Sequence, residues 1–283
     1  MTRLLLLILS MLSAGMCLSL SFYRHDVGRS TGYRRSTSVG AGSDDITLGT
    51  IALVGAGPGD PEMLTVQALK YLSNASLVIA DRLISKEILD LIKCELRIAQ
   101  KKPGCAEEAQ EEIYRWVLEA ARQGRNVVRL KIGDPLLFGR GGEEYLFFKS
   151  KMGVAPVIVP GISSSYSAPM AAHIPLTHRG VSNQVLISTG YGKDLAHVEV
   201  PTFVRDRTVV LLMAVGRIGE IAADLVARKD YPPSTPVAIV ESATMPQQRT
   251  LLGTLASIGD IATREGAKAP ATIVIGSVVN VLM

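Results

Sequence analysis

The feature that most limits the possible folds is a regular alternation of short apolar runs with helical patterns, starting near residue 49. GTIALVG (49–55), SLVIAD (76–81), ELRIAQ (95–100), NVVRLKI (126–132) and APVIVPG (155–161) read as strands. Between them MLTVQALKYLS (63–73), KEILDLI (86–92), AEEAQEEIYRWVLEAARQG (106–124) and GEEYLFFKSK (142–151) read as helices. The third helix is the clearest. Ala109, Ile113, Trp116, Val117 and Ala120 recur at helical spacing, and Gly124 provides a stop. Strands separated by helices predict an α/β unit with a mainly parallel sheet, and right-handed crossovers place helices on both of its faces.

Residues 162–183, rich in Ser, Ala, Pro and His, read as a helix followed by a hinge. Strand patterns then resume at 184–189, 208–215, 235–242, 249–255 and 271–279, with helices at 218–229 and 257–265. The closely spaced pair flanking Gln247 and Gln248 has the look of a hairpin, so the second sheet should be mixed. The expected architecture is two α/β domains, 47–162 and 163–283, with mainly parallel or mixed sheets and a ligand cleft between them.

Residues 1–46 stand apart. Arg3 precedes an apolar stretch, Leu4 to Leu12, and the small residues Ser13, Ala14 and Gly15 follow, which is the grammar of a signal peptide. Residues 21–42 then carry Arg24, Arg29, Arg34 and Arg35 among serines and threonines, with Asp26 as their single acid, as transit peptides do. A signal-like segment (1–20) followed by a transit-like one (21–46) suggests a leader for two-step import into an organelle such as a plastid. The alternative is a secreted or membrane-anchored protein with a loose linker. On the organelle reading no stable membrane insertion is expected once the leader is removed.

Composition excludes some functions. The chain is 47% hydrophobic and 20% charged, with a formal charge of +4 and no dense basic tract in its body, which argues against nucleic-acid binding. Cys17, Cys94 and Cys105 show neither a disulfide framework nor metal spacing, and His173, His178 and His197 share no metal spacing either, so no metal is expected.

In parallel α/β sheets ligands gather beyond the carboxyl ends of the strands. Three such ends stand out: Gly55 to Asp60, Ala80-Asp81-Arg82, and Gly133-Asp134-Pro135. The first invites a dinucleotide reading, with Asp81 as a ribose acid. But Asp60 stands where the fingerprint needs its third glycine, and Pro58 removes an N–H. No Gly-Lys-Ser/Thr completes a Walker A loop. A tight turn into the next helix, started by Asp60 and Pro61, explains the segment as well. An ionised Asp134 among glycines repels phosphate. It suits an ammonium, a sulfonium-bearing molecule or a donor hydroxyl, or else it caps the following turn. Glu143 and Glu144 suit the first turn of a helix. Arg140, just before two glycines, is left unexplained by that.

Taken together, VGAGPGDPEMLT, ADRLIS, RLKIGDPLLFGRGGEE, VPGISSS and IPLTHR occur in the order and spacing of the uroporphyrinogen-III C-methyltransferases of the tetrapyrrole methylase superfamily, which this chain resembles over Gly49–Leu282. KKPGCAEEAQEE (101–112) is similar to the eukaryotic siroheme-type members. The resemblance implies two α/β domains gripping S-adenosylmethionine, usually in a homodimer. It also implies methyl transfer to C2 and C7 of uroporphyrinogen III, giving precorrin-2. By motif position Pro58, Ile132, Gly133, Asp134, Leu137, Ser163, Ser164, Met213, Ala243 and Ala271 would line the S-adenosylmethionine site. Asp81 and Lys101 match a proton acceptor and donor, and Arg140, Glu143 and Arg179 match residues that handle the tetrapyrrole. Tyr191 departs from the family, which often has His there, and Ile132-Gly133-Asp134 replaces the usual Gly-Gly-Asp.

The chemistry fits such a donor. A sulfonium methyl is already activated, so alignment matters more than a nucleophile or a metal. Attack by a pyrrole carbon obliges an N–H proton to leave. Glu143 suits that task better than arginine, which stays protonated. Arg82, Arg140 and Arg179 are natural bidentate partners for a polycarboxylate, and Lys101 offers a point charge. A methylase acting on a different substrate, a nicotinamide-binding oxidoreductase and a non-catalytic binding module stay open as alternatives.

Overall fold

The computed structural model describes residues 48–99, 106–190 and 200–282. Lys101, Cys105, Tyr191, His197 and the proposed leader lie outside the described residues.

The first half builds one parallel sheet. Its strands are β1 (Ile51–Gly55), β2 (Leu77–Asp81), β3 (Glu95–Ala99), β4 (Val127–Lys131) and β5 (Val157–Val159), in the order β3-β2-β4-β1-β5. All four pairings are parallel, as the alternating pattern predicts. Helices α1 (Val66–Ser73) and α2 (Lys86–Leu89) cover one face, and α3 (Ala106–Arg122) and α4 (Gly141–Met152) cover the other. The period-2 alternation of the strands sorts their side chains between the two faces. Ala52, Val54, Val78 and Leu130 pack with Leu64, Ala68 and Leu72. Leu53, Ile79 and Val127 pack with Ile113, Val117 and Phe148. Thr65 and Ser85 cap α1 and α2 through their hydroxyls, so α1 starts three residues later than its periodicity suggests.

The second half builds a mixed sheet from β6 (Gln184–Thr189), β7 (Arg207–Leu212), β8 (Pro236–Glu241), β9 (Arg249–Thr254) and β10 (Ala271–Ile275), ordered β6-β7-β10-β8-β9. Only β6 and β7 pair in parallel, and β8–β9 is the expected hairpin. Helices α6 (Ile218–Arg228) and α7 (Ile258–Arg264) cover one face of this sheet. Helix α5 (Ser164–Ala171) lies on the other face with Ala168, Val240 and Ala243. The run at 271–279 is a strand only to Ile275, beyond which Ser277–Asn280 forms a 3-10 turn. Among the described residues no helix is long and apolar enough to cross a membrane.

Candidate functional site

Strands β1 and β4 are neighbours, yet the chain leaves them in opposite directions, toward β2 and toward β5. That is a topological switch point, where a crevice opens beyond the strand ends. Here the crevice is lined by glycine backbone. Gly57 N–H donates to Gly133 O at 3.2 Å, and Gly133 N–H donates to Gly57 O at 2.9 Å. Both residues sit at positive φ, which glycine alone adopts freely. The approach is close enough that a Cβ on Gly161 would stand 2.2 Å from Gly133 O.

This pairing bears on the dinucleotide alternative. A pyrophosphate is held by free N–H groups at such a loop. Ala56 N–H is already donated to Lys131 O, and Gly57 N–H to Gly133 O. Asp60 caps the short turn Pro61–Met63 by accepting from Glu62 N–H, so the tight-turn reading of this loop holds. Asp134 is engaged too. One oxygen accepts from Leu136 N–H at 2.8 Å and the other from Gly161 N–H at 3.1 Å, tying the β4 loop to the start of the segment leading into α5. Each carboxylate oxygen keeps a second lone pair for a ligand donor.

Ser163 is the N-cap of α5, and its Cα would lie 3.7 Å from a Cβ on Gly133. Thr272 Oγ1 donates to Ser164 O at 3.4 Å, which sets the first residues of β10 against the same turn. Ala271 opposes Glu241 at the end of β8, just before the buried Ala243, and Thr272 opposes Leu212 at the end of β7, just before Met213. Met213 has φ +54 and a side chain left 52% exposed, which is unusual for a methionine ending a core strand. Met245 of the second half reaches Gly59, whose Cβ would stand 2.9 Å from its Sδ. Pro58, Ile132, Gly133, Asp134, Ser163, Ser164, Met213, Ala243 and Ala271 thus come from segments that converge on one mouth, and Leu137 lies in the turn after Asp134.

Asp81 ends β2, two strands from β1, and Arg82 follows it, exposed. Arg140 precedes α4 in a left-handed conformation and forks the Glu143 carboxylate, its Nη2 at 2.7 Å from Oε2. Both of these side chains are largely exposed, and the hydrogen bond to Glu143 raises the Arg140 pKa. Arg179 stands elsewhere. Its turn is pinned to the start of β7, through Leu176 O accepting from Thr208 and through the Ser182–Thr208 hydroxyl contact. That is the end of the strand away from Met213.

The sequence reading missed the group beneath. Arg129 and Lys131, alternate residues of β4, are buried on the α3–α4 face with Glu144 of α4. Glu144 Oε1 accepts from Lys131 Nζ at 2.9 Å, from Gln110 Nε2 at 3.1 Å and from Arg129 Nε at 3.4 Å. Arg129 Nη2 donates to Asp81 at the cleft end. Burial pushes the Lys131 ammonium down, helped by the adjacent Arg129 cation. Burial works the same way on Arg129, but there Asp81 and Glu144 outweigh it and hold the guanidinium charged. The missed signal was available. Glu144 and Phe148 are one helical turn apart on the inward face, whereas Glu143 points out.

Fold and site together define a two-sheet α/β protein with its ligand crevice at a switch point, charged below and apolar at one lip. Residues 50–259 match the family Tetrapyrrole (Corrin/Porphyrin) Methylases. A protein of Saccharomyces cerevisiae named uroporphyrinogen-III C-methyltransferase is 44% identical over 238 residues, 83% of this chain and 40% of that protein. The chain spans less than half the length of the two yeast relatives it matches. A Methanocaldococcus jannaschii protein of the same name is 41% identical over 239 residues, covering 83% of this chain and 98% of that one. The crystal structure of a Thermus thermophilus uroporphyrin-III C-methyl transferase complexed with S-adenyl homocysteine superposes with a TM-score of 0.70 at 39% identity, covering 82% of this chain and 99% of that one. The chain belongs to the tetrapyrrole methylases.

Proposed function

We propose that the protein transfers methyl groups from S-adenosylmethionine to C2 and C7 of uroporphyrinogen III, giving precorrin-2. The observation that carries this reading is the Gly57–Gly133 pairing, which engages the N–H groups of both glycines and leaves a backbone shelf beside Asp134. Such a shelf disfavours a phosphate and suits an amino-acid end with its ammonium. The exposed Met213 adds apolar surface for the rest of the same ligand. The likeness to relatives named for this reaction, one matched over 98% of its length, supports the reading.

Pro58, Ile132, Gly133, Asp134, Leu137, Ser163, Ser164, Met213, Ala243 and Ala271 would hold the donor. When bound, it supplies a methyl already activated on a sulfonium sulfur. The chain's task is then to bring the acceptor carbon to about 3–3.5 Å from that methyl, in line with the leaving sulfur. Arg82, Arg140 and Arg179 grip substrate carboxylates. As the carbon–carbon bond forms, the sulfur keeps the electron pair of the broken bond, and the ring N–H proton passes to a carboxylate. Asp81 and Glu143 are the two acceptors we assign, with Lys101 as donor.

We also propose that the chain acts as a homodimer and that residues 1–46 are a plastid leader. The signal-like and transit-like composition supports the leader, and a fluorescent fusion of those residues tests it. The reaction is tested by incubating the chain anaerobically with labelled S-adenosylmethionine and uroporphyrinogen III. A doubly methylated tetrapyrrole is the expected product, and absence of transfer overturns the reading.

A further inference from the structure

Four charged side chains and one amide lie packed together under the site end of the first sheet. Arg129 and Lys131 are two residues apart on β4, so both project from the same face into the layer beneath α4. Arg129, Lys131 and Glu144 are each at most 1% exposed, Gln110 is 3% exposed, and the Asp81 side chain is 19% exposed. Asp81 is therefore the member of the group that reaches the cleft.

The connectivity runs in one direction. Glu144 Oε1 takes the Nε edge of the Arg129 guanidinium. Arg129 Nη1 donates to Ile79 O at 3.2 Å and to Leu130 O at 3.0 Å. The remaining nitrogen, Nη2, is presented to Asp81 Oδ1. A guanidinium is planar and rigid, so holding its Nε and Nη1 fixes where Nη2 points. Lys131 and Gln110 donate to the same oxygen and hold Glu144 in place.

Stability alone does not account for this arrangement. Well-packed apolar residues often serve a core as well as a buried ion pair does or better. This one also leaves Glu144 Oε2 and Gln110 Oε1 buried without a hydrogen-bond partner among the described residues. Such atoms carry a desolvation cost. What the network achieves is a fixed carboxylate at the cleft end of β2.

We infer that Glu144, not its exposed neighbour Glu143, is a positioning residue that acts through Arg129 to aim Asp81 at the substrate. The inference rests on the methyl-transfer reading above, and its structural half can be tested without it.

The test is a double-mutant cycle with a crystal structure of the single variant. Glu144→Gln keeps the size and one acceptor but removes the charge. Its crystal structure should show Arg129 turned away from Asp81. Its kcat should fall about tenfold or more, since small misplacements cost that much, while KM for both substrates stays within about twofold. In an Asp81→Asn background the same change should cost less than about twofold, because the residue it acts through is already disabled. An intact Arg129–Asp81 pair in Glu144→Gln overturns the inference whatever the rate. An equal loss of kcat in both backgrounds also overturns it. If Glu144→Gln fails to fold, Glu144→Asp carries the same cycle, since it retains the charge and withdraws it by one methylene. Wild-type protein that transfers no methyl to uroporphyrinogen III would refute the proposed reaction instead, and the variant's crystal structure would then decide the positioning role alone.

Discussion

The two sheets of this protein are built from similar numbers of strands but treat charge in opposite ways. The first sheet is wholly parallel and covered on both faces, yet it buries Arg129, Lys131 and Glu144 at its centre. The second sheet is mixed, and the residues packed under α6 and α7 are mainly apolar, Val209, Leu211, Ile239 and Ile273 among them. Its buried acid, Glu241, sits at a strand end and meets the exposed Arg249 at 2.5 Å. A parallel sheet sends every carboxyl end to the same edge, so functional side chains concentrate there and their supports lie just beneath. The second sheet supplies the apolar lip of the crevice and a rigid core.

The largest effect that could break this contrast comes from removing one partner of the buried network. Arg129→Leu removes the buried cation that bridges Asp81 and Glu144 and should destabilise the fold by about 3–5 kcal/mol in chemical denaturation. A loss below about 1 kcal/mol would mean that the first sheet tolerates the change as readily as a surface pair would. In the second sheet the comparable position is Leu211, which is 1% exposed. Leu211→Ala should cost about 2–5 kcal/mol through the cavity it leaves, with methyl transfer per folded molecule unchanged.

The smallest effect sharpens the contrast by pH. Burial alone would raise the Glu241 carboxyl, but Arg249 and the Lys268 N–H outweigh it and hold the group below its usual 4.5. A depressed carboxyl binds fewer protons in the folded chain than in the unfolded one. Its contribution is therefore full above about pH 4.5 and disappears as pH falls through the folded value. Glu241→Gln should lower Tm by on the order of 2–4 °C at pH 7, and the gap should narrow toward pH 3. A gap that widens in acid would contradict the assignment.

Much of this was legible beforehand, for physical reasons that differ by element. The helical periodicity of 106–122 and the spacing of the strands rest on burial, and burial leaves its period in the chain. The β8–β9 hairpin was legible because two strand patterns lie close together around Gln247 and Gln248. The tight-turn readings of Asp60 and Asp134 held because side-chain capping is local. The buried network was not read, because a charge in a strand is ordinarily taken for a solvent-facing one. In a central parallel strand both faces are covered, so Arg129 and Lys131 had nowhere wet to point. Their partner Glu144 lies 13 and 15 residues away and passes for a first-turn acid. Motif position assigns Arg179 to the substrate, and its turn is anchored at the start of β7.

The most direct test sets a residue packed under the first sheet against one in the second sheet in the methyl-transfer assay. Glu144→Gln disturbs the support under the first sheet's edge, and Arg249→Gln removes the exposed partner of the second sheet's acid. The account predicts that kcat falls about tenfold or more for the first variant and stays within about twofold of wild type for the second. Equal losses in the two, or a larger loss for Arg249→Gln, would contradict it.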